Sequence, residues 1–151
     1  MTNITVTDVI RHSRSRAYMA GVEREKSRTQ KSGEVFTPTK LVRDIIKKIP
    51  IEQFQDPSKT FLDPSCGDGQ FLSEVLIKKM ENGSTFEQAL STIYGVDIMP
   101  DNVALCKDRL LCGQEHLRHI VDKNIVCADA LTYDYSFGEK ETFGNGLFEI
   151  E

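Results

Sequence analysis

No run of about eighteen apolar residues occurs in this chain, so no membrane-spanning helix is expected. Its first twenty residues carry arginines but no apolar secretory core, so no signal peptide is expected either. The four cysteines, at 66, 106, 112 and 127, include no Cys-x-x-Cys pair. That spacing argues against a zinc site and reads as reduced thiols in a cytoplasmic protein. The five prolines stand at 38, 50, 57, 64 and 100, and no two of them adjoin. No Gly-x-Gly-x-x-Gly is present, which disfavours a nicotinamide-binding site. Internal repeats and low-complexity segments are also lacking. At 151 residues the chain fits one domain with a workable core.

The charge is unevenly spread. Residues 1–33 hold seven Lys/Arg against three Asp/Glu, whereas residues 34–151 hold twelve against twenty. A basic arm ahead of an acidic body can contact nucleic acid through phosphates. It can equally be a solvated helix face, or an arm docked on its own domain. The division that follows is residues 1–32 as a basic, partly helical arm and residues 33–151 as the folded domain.

From Val6 to about Arg28 the pattern is loosely helical, and Ser27 to Gly33 reads as a polar linker. Thr37 and Pro38 suit an N-cap and first helical residue. Leu41, Val42, Ile45, Ile46 and Ile49 then share one face of a helix that Pro50 ends. Residues 51–59 read as loop, and Thr60–Asp63 as a first strand. A helix from Gln70 to Met80 buries Leu72, Val75 and Leu76, with Asn82-Gly83 as its stop. Ser84 or Thr85 caps a short helix reaching Leu90. Ile93–Asp97 is a second strand. A helix opened by Pro100 and Asp101 turns Val103, Cys106 and Leu110 inward and stops at Gly113. Asn124–Asp129 is a third strand, residues 132–146 are loop, and Leu147–Glu151 resembles the start of a fourth strand. Strand and helix alternate, so the expected fold class is α/β, a mainly parallel sheet with helices on both faces.

The most informative stretch is Phe61-Leu-Asp-Pro-Ser-Cys-Gly-Asp-Gly-Gln-Phe-Leu72. Strand, glycine turn and helix in that order surround a crevice with backbone N–H groups at a helix N-terminus. Asp63 ends the strand, where it can accept hydrogen bonds from a cationic or hydroxyl-bearing group. Two further strands end in Asp97 and Asp129. Each feature also has a plainer reading. Gly67 and Gly69 suit any tight strand-to-helix turn, Asp97 and Asp129 can cap a helix or turn, and Pro38 can simply begin a helix. Cys66 reads as a small turn residue rather than a nucleophile, and His12, His116 and His119 are assigned no role.

Taken in order, Phe36-Thr37-Pro38, Asp63 to Leu72, Tyr94-Gly-Val-Asp97 and Val126-Cys-Ala-Asp129 resemble the S-adenosylmethionine-dependent adenine-N6 DNA methyltransferases. The resemblance covers roughly Gly33 to Leu131. It implies a Rossmann-like methyltransferase fold and S-adenosylmethionine as cofactor, in a prokaryotic or phage-infected cell with a restriction–modification setting. It further implies that Asp63, Pro64, Ser65 and the amides about Gly67 and Gly69 face the methionine end. Asp97 would hold the ribose hydroxyls in a bidentate contact, and Ile98 or Met99 would pack on the adenine. Asp129, with Ala130 beside it, would accept from the adenine amine. Phe36, Thr37 and Pro38 would hold the amino-acid carboxylate. Asp68 departs from the family, which commonly has Ser or Thr there. An anion facing the ligand's carboxylate would repel it, so Asp68 is expected to face the sulfonium side or solvent.

One family feature is missing. The catalytic (Asn/Asp/Ser)-Pro-Pro-(Tyr/Phe) segment has no counterpart, because no Pro-Pro pair exists. The expectation is a cofactor-binding part that is inactive alone, with no catalytic residue and no metal ligand assigned. A second chain or segment would carry the catalytic and target-recognition parts, and DNA would meet the basic arm. The alternative is a pseudo-methyltransferase that acts as a cofactor-binding or protein/DNA interaction module.

Overall fold

The computed structural model describes residues 3–15 and 39–138. In chain order the elements are α1 (Val6–Ser15), α2 (Thr39–Lys47), α3 (Glu52–Gln55), β1 (Phe61–Asp63), α4 (Gln70–Glu81) and α5 (Phe86–Ser91). β2 (Ile93–Asp97), α6 (Pro100–Leu111), a 3-10 turn (Glu115–Leu117), α7 (Arg118–Asn124) and β3 (Ile125–Cys127) complete them. The strands form one parallel sheet in the order β1-β2-β3.

Local chemistry explains most of the boundaries. Thr85 makes a capping box with Gln88, each side chain bonding the other's backbone N–H, and this starts α5. Pro100 opens α6, where a missing N–H costs nothing. Leu72, Val75 and Leu76 of α4 are all buried, as their spacing requires. On α2 only Val42 and Ile46 of the apolar stripe are buried; Leu41 and Ile45 remain exposed. Two helices depart from expectation. Residues 51–59 are not all loop, because α3 forms there and buries Phe54 in a stack on Phe61, centroids 5.0 Å apart. α7 fills the approach to β3, with Val121 and Asn124 buried.

Residues paired in register share a face of the sheet. Phe61, Ile93, Gly95 and Ile125 lie on one face; Leu62, Tyr94, Val96 and Val126 lie on the other. The helices bury their apolar side chains in a single cluster that takes in Ile93 and Ile125, with Phe61 packed against it. None of the opposite-face residues belongs to that cluster. Helical cover on both faces is therefore not what the described residues have. Both crossovers step the same way across the sheet, and right-handed connections then put α4 and α6 on the same side. The far side is met by the segment after β3, where Phe137 packs on Tyr94 at 4.8 Å between centroids. Leu62 stays 47% exposed there.

The described part of the N-terminal arm is docked. Val9 of α1 is fully buried in the helical cluster. Arg14 donates to Glu74 of α4 at 3.0 Å, and His12 Nε2 lies 3.3 Å from the Asp108 carbonyl of α6. Glu74, itself buried, also accepts from Arg43 of α2 at 3.4 Å. One carboxylate thus ties α1 and α2 to α4.

Candidate functional site

The carboxyl ends of β1 and β2 meet under the glycine turn. Gly67 has φ 56° and Gly69 φ 93°, left-handed values that side-chain-bearing residues adopt only at a cost. Gly69 is also the N-cap of α4, and a Cβ there would sit 3.1 Å from Cys106 Sγ of α6. For Gly69, then, backbone geometry and helix packing suffice as reasons. Gly95 of β2 is a third such position: an added Cβ would meet Leu72 Cδ1 at 2.9 Å and Cys66 at 3.0 Å. It lets the turn lie down on the strand.

Asp97 is the fastening point. Its Oδ1 accepts from the Gly67 N–H at 3.2 Å, and its Oδ2 accepts from the Met99 N–H at 3.0 Å and from Asn102 Nδ2 at 3.2 Å. The Cys66 N–H donates to the Val96 carbonyl at 2.9 Å, extending the same seam. A carboxylate has about four acceptor positions. Three are taken, which leaves about one for a ligand hydroxyl. A bidentate grip on a diol would require Asp97 to give up an internal bond. Ile98, next in sequence, is 61% exposed and offers an apolar surface beside that carboxylate.

Asp63 stands across the turn from Asp97. Its Oδ1 accepts from the Ser65 N–H at 3.0 Å, which closes the Asp-Pro-Ser corner at Pro64. Burial raises its pKa above the ordinary 3.8, the Ser65 N–H opposes the rise, and the charge of Asp97 adds to it. Two carboxylates held near one another at a partly buried edge favour a cation between them. The donor set fits a ligand with a positive centre and a hydroxyl group.

Asp129 lies beyond β3 and is exposed; its Oδ1 accepts from the Leu131 N–H at 2.9 Å. The Ala128 N–H donates to the Asp97 carbonyl at 3.0 Å, so Asp129 follows directly on the β2 seam. The Ala130 carbonyl accepts from Tyr135 Oη at 2.7 Å. Phe36, Thr37 and Pro38 lie outside the described residues, as do Leu147–Glu151 and the basic residues from Arg16 to Lys31.

Asp68 faces neither solvent nor the crevice rim. It is 2% exposed and turned toward Arg109 of α6, which is 1% exposed, with Nη2 and Oδ2 3.7 Å apart. Arg109 Nη1 also donates to Gln70 Oε1 at 3.0 Å. Asp68 was expected to face the sulfonium side or solvent; it turns inward instead, toward a buried guanidinium. Arg109 itself was missed. The available signal was its place three residues after the inward Cys106, on the same helix face.

Cys66 and Cys112 are held in the thiol form. Hydrogen bonding with the Cys106 thiol, and then burial, pushes the Cys66 thiol far up from its ordinary value. Burial pushes Cys112 up to about 12. Among the described residues no group of three or more His, Cys, Asp or Glu is arranged to hold a metal. No helix among them is long and apolar enough to cross a membrane.

Comparison with known proteins bears on this edge. Residues 14–143 match the family described as N-6 DNA Methylase. Over 118 residues the chain is 30% identical to the Type II methyltransferase M.VspI of Vibrio sp. (strain 343). The matched stretch is 76% of this chain and 24% of that relative, so the chain spans about a quarter of the relative's length. No solved structure matches.

Proposed function

Because the chain belongs to the N-6 DNA methylase family, we propose that residues 33–151 bind S-adenosylmethionine at the carboxyl edge of a Rossmann-like sheet. They would serve as the cofactor portion of an adenine-specific DNA methyltransferase, of the kind found in restriction–modification. The observation that carries this reading is the bond from the Gly67 N–H to Asp97 Oδ1, which joins the glycine turn to an acidic strand end. When bound, the cofactor supplies a methyl group on a sulfonium. Asp63 would face its cationic methionine end, with Pro64, Ser65 and the turn amides around it. Asp97 would take a ribose hydroxyl at its remaining acceptor position. Ile98 would cover the adenine ring, and Asp129 beside Ala130 would accept from the exocyclic amine. Phe36, Thr37 and Pro38 would hold the amino-acid carboxylate.

The 151 residues contain no Pro-Pro pair. The surface on which a flipped adenine would be held is therefore not among them, and a second segment or chain would supply it. Contact with DNA phosphates falls to the basic residues between Arg16 and Lys31. Titration calorimetry with S-adenosylmethionine or S-adenosylhomocysteine tests the cofactor reading. Saturable binding in the micromolar range is expected, about −8 kcal/mol. Asp97→Ala should weaken it by roughly 1–3 kcal/mol, since a hydrogen bond to a charged group is lost. The absence of both heat and a thermal shift at millimolar ligand would sink the reading. With labelled cofactor and unmethylated DNA, the chain alone should transfer no label above background.

A further inference from the structure

Arg109 is the largest fully buried side chain among the described residues, yet its use of its charge is incomplete. Nη1 is bonded to Gln70, but Nε and Nη2 have no hydrogen-bond acceptor among the described residues. Nη2 stands 3.7 Å from the Asp68 carboxylate, within ion-pair range but outside hydrogen-bond length. A buried arginine is costly to keep unless it neutralises something. What it neutralises is the third anion of the turn, since Asp63 and Asp97 already stand at the crevice.

We propose that Arg109 is a positioning residue for the cofactor turn: it draws Asp68 inward, so that the turn presents backbone N–H groups and not a carboxylate to the crevice. The proposal rests on the cofactor reading above. Three features of the geometry converge on it. The two side chains come from different elements, α6 and the β1–α4 turn, so their pairing sets the height of the turn over α6. Gln70, the first residue of α4, is held by the same guanidinium, which fixes the helix end as well as the turn. Cys106, one helical turn earlier on α6, limits Gly69 from below. Arg109 and Cys106 together make α6 the floor of the turn.

Removing the charge of Arg109 leaves Asp68 with no counter-ion from α6. Its carboxylate then turns to the crevice, where it opposes the carboxylate of an amino-acid ligand. Removing both charges restores an unopposed turn. The experiment uses the 151-residue chain with Arg109→Met, Arg109→Lys, Asp68→Ser and the double variant Asp68→Ser/Arg109→Met. S-adenosylhomocysteine affinity is measured by calorimetry well below each thermal midpoint. Arg109→Met should lose at least about tenfold in affinity, and Arg109→Lys should recover part of that loss. The double variant should return to within about threefold of wild type, even where its midpoint is lower. A purely structural arginine would move the midpoints and leave affinity unchanged. Arg109→Met affinity within twofold of wild type would overturn the proposal, as would a folded double variant as weak as the single one. If Arg109→Met does not fold, the double variant decides alone: wild-type affinity supports the proposal and tenfold loss overturns it. A wild-type chain that binds no S-adenosylhomocysteine would overturn the cofactor reading itself, a distinguishable result.

Discussion

At Asp63 stability and binding pull in opposite directions. Burial, and after it the neighbouring Asp97, hold its pKa above 3.8. Between that ordinary value and the raised one, the folded chain binds more protons than the unfolded chain. The stability that Asp63 contributes is then fully present below the unfolded pKa and is lost as pH rises through the folded one. Asp63→Asn should accordingly raise the thermal midpoint at neutral pH, and the advantage should shrink on acidification. Binding has the opposite sign. A sulfonium or ammonium favours the ionised carboxylate, so wild-type affinity should fall as pH drops through the raised pKa, with proton release on binding. The Asn variant should bind more weakly at neutral pH and lose that acid limb; superimposable pH profiles would refute the assignment. The cysteines give a second test at this scale. Cys127 is exposed while Cys66, Cys106 and Cys112 are buried. An aromatic disulfide reagent should titrate one thiol in the native protein and four in denaturant. Rapid reaction of a second thiol would show that the turn opens.

Among the elements, β2 carries the most consequence for the least length. Its Gly95 lets the Cys66 corner and Leu72 lie within 3.0 Å of where a Cβ would be. Gly95→Ala should destabilise the fold by about 1–3 kcal/mol through overpacking. It should also weaken the cofactor, because the turn that Asp97 holds must lift; urea melts and calorimetry would read the two effects separately. A variant as stable as wild type would show that the turn is slack. β2 was legible residue for residue, because an apolar run is bounded by the cap of α5 and by Pro100. α4 was legible because Leu72, Val75 and Leu76 keep helical spacing. α3 and α7 were not. Four and seven residues are too few to show a period, and Phe54 earns its burial only from Phe61 and the sheet. Asp63 and Asp97 could be named in advance as acidic strand ends, whereas the third strand stops at Cys127, short of Asp129. Their internal bonds could not, since the Gly67 contact spans 30 positions and depends on how far the turn folds over. Arg109 stayed hidden because its charge masks an inward position.

For the whole molecule, the net charge of −4 conceals a basic segment joined to an acidic body. Binding to a short duplex should be weak, indifferent to sequence and steeply reduced by salt, because only phosphates are engaged. Changing Arg24, Lys26, Arg28 and Lys31 to glutamine should abolish it and leave cofactor affinity intact. DNA affinity that survives those changes would place the contact elsewhere. Deleting the first thirty residues would be a poorer test, because Val9 would leave the core with them. That docking has a consequence for how the chain is made. α1 emerges from the ribosome before α6, and the carbonyl that meets His12 belongs to a residue 96 positions later. Until α6 has been made the helix lacks its full seat, and its apolar stripe is open to chaperones or to neighbouring nascent chains. It settles only after α6 has left the exit tunnel, so a helix made before the sheet is seated after two of its strands.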